Sequence, residues 1–284
     1  MVSSGGNSSS SSSHSSATTA LLGFATLALA AASVSYWQAR KQRRRRRAKG
    51  EDEDGERTED EENSEFALLP SLRNRRSVFP KDYVQGGKPA EPRVVESLLQ
   101  AAMWAPYHGP VPPWRFVVLG KDAMVEMQRL TLAFYDQNWR EAGFPGANKV
   151  PAGQERTEAD YEKWREMTEG EISRRWGPVS YMIAIVMRRQ ASPKKRMQEW
   201  EEAAATACAV QNMHVQATKF PSLACYWSSW HGAARDSAEM AKFLGMEDPE
   251  DKCFGFFMVA SCREQLPDRR RRKPATHLAA EWRV

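Results

Sequence analysis

Arg75-Arg76-Ser77 places two guanidinium groups and a hydroxyl on three consecutive positions. A guanidinium fork holds two oxygens of a phosphate at once, and a serine hydroxyl adds a neutral donor beside it, so the trio has the chemistry of a phosphate seat. Taken alone, the same three residues make an ordinary solvated basic turn. Three other places in the chain carry comparable chemistry. His108 lies in the loop Tyr107 to Pro113, and a histidine in a loop is either a surface residue or a group that gains or loses a proton near neutral pH. Cys225-Tyr226-Trp227-Ser228-Ser229 ends an apolar run with two hydroxyls, which either face a ligand or cap the turn before His231-Gly232. Arg272-Lys273-Pro274 supplies a further basic group near the C-terminus.

The elements that must position these groups are legible in the apolar spacing. Val94, Val95, Leu98, Leu99 and Ala102 recur at three- and four-residue intervals after Pro89 and Pro92, which predicts a helix stopped by Ala105-Pro106. The Tyr107 to Pro113 loop then joins that helix to a strand, Trp114-Arg115-Phe116-Val117-Val118-Leu119. Val179 to Met187 is a continuous apolar run and predicts a buried strand, as does the stretch near Phe254 to Ala260. Between Gly120 and Gly177 many charges interleave with Tyr135, Trp139, Tyr161, Trp164 and Trp176, a pattern of amphipathic helices covering a core. Trp200 to Thr218 is Ala-rich, with Trp200, Ala204, Ala207, Val210 and Met213 spread around it; a helix apolar nearly all round is expected to be buried.

Composition narrows the class. The chain has 284 residues and a formal net charge of +5. The basic run Arg40 to Lys49 is offset by the acidic run at 51–62, so the excess charge belongs to the folded part. No basic stripe interleaved with aromatics accompanies it, which disfavours nucleic acid as a partner. Cys208, Cys225, Cys253 and Cys262 show no metal or Cys-x-x-Cys spacing and are expected to be core thiols in a reducing compartment. Gly-x-Gly-x-x-Gly, Walker, His-Glu-x-x-His and Gly-x-Ser-x-Gly motifs are absent from the sequence, which disfavours dinucleotide-fold dehydrogenases, P-loop enzymes, zincins and serine hydrolases.

The order Arg75-Arg76-Ser77, Ala105-Pro106-Tyr107-His108, Pro113-Trp114-Arg115-Phe116, Gln211-Asn212-Met213, Tyr226-Trp227-Ser228-Ser229 and Arg272-Lys273-Pro274, closed by Trp282, resembles the nitroreductase family of flavin enzymes, and the resemblance runs from about Ser71 to Val284. It is nearest to the compact NAD(P)H nitroreductases. The Pro267-Asp268 and Arg272-Lys273-Pro274 tail is also similar to that of iodotyrosine deiodinase, another protein anchored through its N-terminus. The resemblance implies an α+β fold with a central mixed sheet flanked by helices, an FMN cofactor and NAD(P)H as co-substrate. It also implies a homodimer built on the Trp200 to Thr218 helix, with each site completed in trans. Arg75, Arg76, Ser77 and Arg272 would meet the phosphate end of FMN. Trp104 would contact the cofactor, and the Tyr107 to Pro113 loop with His108 would reach the flavin of the partner subunit. Trp227, Ser228 and Ser229 would approach flavin N5, where a hydrogen-bond donor tunes the redox state. Tyr107-His108, Pro110 and Pro112 depart from the family's serine, asparagine and glutamine loop positions. The region 120–177 corresponds to the substrate lid; Trp139, Tyr161 or Trp164 would stack on a planar acceptor, and no matching Glu, Tyr and Lys set for an amino-acid zwitterion is found there.

The N-terminus suggests an anchor. Residues 1–16 are rich in serine and glycine and are expected to form a disordered tail. From Ala17 to Trp37 no residue is charged, and a helix of that length at ~1.5 Å per residue spans roughly the 30 Å hydrocarbon layer. The basic cluster Arg40, Lys41 and Arg43 to Arg47 follows it, so the positive-inside rule turns the folded domain towards the cytosol, on the endoplasmic reticulum or the mitochondrial outer membrane. A charged linker at 38–65 leads to a domain at 66–284. The expectation from sequence is therefore a membrane-anchored FMN oxidoreductase passing hydride from NAD(P)H to a nitroaromatic or quinone, with no catalytic side chain and no metal. The alternatives are a halotyrosine dehalogenase and a non-catalytic flavin-fold scaffold at a membrane.

Overall fold

The structure is a computed structural model and describes residues 68–144 and 156–263. The tail, the 17–37 segment, the charged linker, Arg272 and Trp282 lie outside the described residues. In chain order the described elements are α1 (Pro70–Asn74), α2 (Pro92–Ala102), β1 (Trp114–Leu119), α3 (Lys121–Ala142), α4 (Glu158–Glu169), β2 (Val179–Met187), α5 (Glu199–Ala217), β3 (Leu223–Ser228), α6 (Gly232–Arg235), α7 (Ala238–Phe243) and β4 (Lys252–Ser261). No helix among them is long and apolar enough to cross a membrane.

The four strands form one sheet in the order β1-β2-β4-β3. Among the described residues every ladder is antiparallel, where a mixed sheet was expected. The connections from β1 to β2 and from β3 to β4 return the chain to the end of the sheet it has just left, while α5 carries it from the end of β2 back to the opposite end, so that β3 runs parallel to β2 with β4 between them. β2 and β4 occupy the centre and are apolar on both faces, the pattern of strands covered from two sides. Their side chains alternate with period two. Ile183, Ile185, Phe257 and Val259 pack under α2 and α5 with Leu98, Val210 and Met213. Met182, Ala184, Phe256 and Met258 face the other way, against Met124 and Met127 of α3 and Met240 of α7. A third cluster, Tyr135, Trp139, Phe144, Tyr161 and Trp164, joins α3 to α4 and α6 away from the sheet.

β4 carries one extra residue opposite Ala184/Val186, and Gly255 in that bulge has φ +107°. A Cβ there would sit 2.1 Å from the backbone oxygen of Ser228. Glycine is required because the turn after β3 passes directly over it. At the same end of the sheet, fully buried Glu202 in the first turn of α5 accepts from Arg189, just past β2, and from the Met197 backbone N–H at 3.0 Å. This ion pair ties the end of β2 to the start of α5.

Buried Cys225, Cys253 and Cys262 are free thiols in the apolar core, while Cys208 is half-buried on α5. Helix α5 is not covered all round. Ala209, Val210, Met213 and Ala217 face the sheet, but Trp200 is 65% exposed and Ala204 and Gln211 are open as well. The expectation of a wholly buried helix is corrected to a helix with one bare, small-residue face.

Candidate functional site

The chain enters the fold along the outer edge of β3. Val78 N–H donates to the Cys225 carbonyl at 3.0 Å, the Phe79 ring lies 5.1 Å from that of Tyr226, and Tyr83 bridges Cys262 near the start of β3. Moving from Tyr83 back to Val78 therefore travels towards the end of β3, and Arg75-Arg76-Ser77 continue in that direction. α1 starts with Pro70 at its first position and releases the chain into extended backbone at Arg75. Arg75 is half-buried, and its Nη1 lies 3.3 Å from His214 Nδ1 on α5. Arg76 and Ser77 are exposed. Neither guanidinium pairs with a carboxylate among the described residues.

Trp227 comes to the same edge. It pairs with Phe257 across the ladder, shows its ring on the α5 side, and donates its indole N–H to the Phe254 carbonyl at 2.7 Å. Phe257 in turn meets the His214 ring at 4.7 Å. Arg75, His214, Phe257 and Trp227 thus form one contiguous group. Ser228 takes the turn-capping role: its hydroxyl accepts from Trp230 N–H at 3.2 Å. The Ser229 carbonyl accepts from Arg235 at 3.0 Å, leaving the exposed Ser229 side chain at the rim. Trp230 holds a left-handed backbone, φ 57°, and is over-determined by its indole bond to Thr131 at 3.0 Å and by ring contacts with Trp176, His231 and Phe256. Strain of this kind persists where the surroundings impose it.

Trp104 and His108 do not join this group within one chain. α2 packs on the opposite flank of α5, with Ser97 bonded to Gln216 at 2.8 Å. Trp104, 86% exposed, borders a groove of about 430 Å³ with Asn212 and Val215. His108, also exposed, borders a groove of about 600 Å³ with Trp200, Ala204 and Cys208. Both lie against the bare side of α5, whereas Arg75 reaches α5 from the β3 side. Tyr107 is held by ring contact with Trp114 at 6.2 Å.

The lid aromatics are not free to stack on a ligand. Trp139 and Tyr161 stack on each other at 5.0 Å and 4°, and Trp164 packs on Tyr135 at 5.0 Å. All are buried, so the expectation that one of them receives a planar acceptor is corrected. Tyr161 also donates to Asp136, at 2.6 Å, which Arg165 clamps from the other side.

A family model described as the nitroreductase family matches residues 72–261. The chain belongs to the nitroreductase family. Among solved structures it is similar to an FMN- and NADPH-dependent nitroreductase from Sphigopyxis sp. strain HMH, with TM-score 0.50 and 18% identity over 75% of this chain and 96% of that one. It also aligns with a nitroreductase with bound FMN from Bacteroides fragilis, at TM-score 0.48 and 20% identity over 74% and 97%. A nitroreductase-like family protein from Bacillus cereus gives TM-score 0.49 and 20% identity over 72% and 90%. No curated protein matches the chain. At 18% identity the first of these likenesses speaks to the fold alone.

Three residues of this candidate site were not singled out from the sequence. His214 sits one position past Gln211-Asn212-Met213, and its spacing of four from Val210 was the available signal that it belongs to the buried face. Gly255 and Trp230 gave no local signal, since their constraints come from other strands and helices.

Proposed function

We propose that this chain is a flavin oxidoreductase that binds FMN along the β3 edge and takes reducing equivalents from NAD(P)H. The carrying observation is the pair Arg75 and Arg76, uncompensated by any carboxylate among the described residues and set beside Ser77, with Arg75 linked through His214 and Phe257 to the strand pair that carries Trp227. The donor types suit the cofactor: guanidinium groups match a dianionic phosphate in charge and can each hold two of its oxygens, and a hydroxyl adds a neutral donor. Arg272, outside the described residues, is proposed as a fourth. The half-exposed Trp227 ring gives flat apolar area next to that seat. The Ser228-Ser229 turn is held rigid by Gly255 and Arg235, so the rim it forms keeps its place. When bound, the flavin supplies the hydride chemistry, accepting from NAD(P)H and delivering to an electron-poor nitroaromatic or quinone. The protein's part is to bind, orient and exclude water, and no side chain is assigned as acid, base or nucleophile.

The site is proposed to be shared between two copies. Trp104 and His108 lie on the far flank of α5 from Arg75, and the bare face of α5 supports a second copy packing there and bringing its Trp104 and His108 to the first copy's cofactor. Anchoring through residues 17–37, with the domain in the cytosol, is part of the same proposal. The test is FMN affinity: Arg75→Ala is expected to weaken it by about 1.5–3 kcal/mol, the loss of a charged hydrogen bond. Unchanged affinity in both Arg75→Ala and Arg76→Ala would remove the phosphate seat from this edge.

A further inference from the structure

An arginine that binds an anion has to be held in place without losing its charge. Most oriented arginines of this fold are held by carboxylates: Arg129 by Glu126, Arg165 by Asp136, Arg189 by Glu202, Arg196 by Asp248 and Arg235 by Asp236. Each of those carboxylates fixes its guanidinium and cancels its charge. Arg75 is held differently. Its Nη1 meets an imidazole, His214 Nδ1, at 3.3 Å.

A guanidinium only donates, so His214 Nδ1 must accept and the ring proton must sit on Nε2. His214 is 8% exposed, and its Nε2 is buried with no hydrogen-bond partner. The ring stands at 63° to Phe257, 4.7 Å between centroids, an arrangement that fixes its plane and therefore the direction of the Nδ1 lone pair. Burial, with Arg75 beside it, depresses the imidazole's pKa to about 4, which keeps it neutral under ordinary conditions. The ring plane is set by the packing of α5 on β4, the tautomer by the Arg75 donor, and the neutral state by burial with Arg75 beside it.

We infer that His214 is the positioning residue of the phosphate seat, a buried uncharged acceptor that aims Arg75 at the anion while leaving its positive charge intact. The inference rests on the reading of Arg75 as a phosphate ligand, and it adds to that reading which residue tunes the ligand. A carboxylate at position 214 would aim the guanidinium equally well and cancel the charge the phosphate needs. An aliphatic side chain would preserve the charge and release the aim.

The experiment compares FMN with riboflavin, which lacks the phosphate, by fluorescence titration of the full-length chain. The proteins are wild type, Arg75→Ala, His214→Leu, His214→Asn and the double variant Arg75→Ala/His214→Leu. His214→Leu is expected to weaken FMN about tenfold, the scale of one lost hydrogen bond to a charged group, and to bind riboflavin as wild type does. His214→Asn, whose Oδ1 offers an acceptor near the position of Nδ1, is expected to recover most of the FMN affinity. The double variant is expected to be no weaker than Arg75→Ala alone, because both changes break the same contact. A His214→Leu protein that loses FMN and riboflavin equally would make His214 a packing residue and overturn the inference. So would full FMN affinity in His214→Leu alongside a loss in Arg75→Ala. If Arg75→Ala itself leaves the preference for FMN over riboflavin unchanged, the phosphate seat fails first, and the inference fails with it.

Discussion

Two imidazoles lie too deep in the fold to hold a proton near neutral pH. Burial, seconded by Arg75, pushes His214 down to about 4, and burial, seconded by Arg175, does the same to His231. A depressed histidine pKa means that the unfolded chain binds protons the folded one refuses, so the stability is complete above about pH 6.5 and drains away as pH falls towards 4. Each ring contributes at most about 3 kcal/mol to that loss. Urea unfolding between pH 7 and 4.5 is expected to show the decline, and His231→Gln is expected to flatten part of it; a stability independent of pH over that range would contradict the buried neutral state. Gly255→Ala forces a Cβ against the Ser228 carbonyl in a backbone region closed to alanine, and is expected to cost about 3 kcal/mol or more in the same assay. At this scale the sequence offers a candidate where donor types are contiguous, as in Arg75-Arg76-Ser77. It was silent where the partner is remote: His214 is 139 residues from Arg75, and Gly255 answers to a turn on another strand.

Elements were legible in proportion to how local their causes are. β2 runs from Val179 to Met187 as its apolar stretch predicts, and α2 begins at Pro92, because a doubly buried strand and a proline-started helix are written in adjacent residues. The strand directions were not, since pairing joins segments far apart in the chain. The Ala-rich helix misled for a related reason: small residues suit a core and a bare face equally, and only the sheet decides which side is covered. The lid aromatics Trp139, Tyr161 and Trp164 were misassigned to a ligand because their spacing cannot say that they face one another. α4 carries the most local device of all, a capping box in which Thr157 and Asp160 exchange hydrogen bonds. Thr157→Ala is expected to cost about 1 kcal/mol and to speed amide exchange through residues 158–169 while leaving β2 and β4 protected; uniform loss of protection would show that α4 does not open independently. Glu202→Ala strips the buried partner from Arg189 at the start of α5 and is expected to destabilise by about 3–5 kcal/mol, with thermal unfolding as the measure.

The whole molecule is proposed to work as a pair, because the candidate cofactor residues fall on two flanks of α5. A heterodimer made by mixing Arg75→Ala with a His108→Ala variant is expected to regain one complete site from its two unaltered halves, measured as FMN bound per dimer at limiting cofactor; no recovery over the parent mixtures would place Trp104 and His108 outside the site. Membrane anchoring belongs to this scale too, and truncation of residues 1–65 is expected to move the protein from the membrane to the soluble fraction. The shared site depends on the chain being a flavoprotein. The most direct test is the visible spectrum of the purified protein after incubation with FMN and desalting, recorded without oxygen before and after NADPH or NADH is added. The expected result is a flavin band that travels with the protein and bleaches on addition of the nicotinamide; a folded protein that emerges colourless from desalting would contradict it.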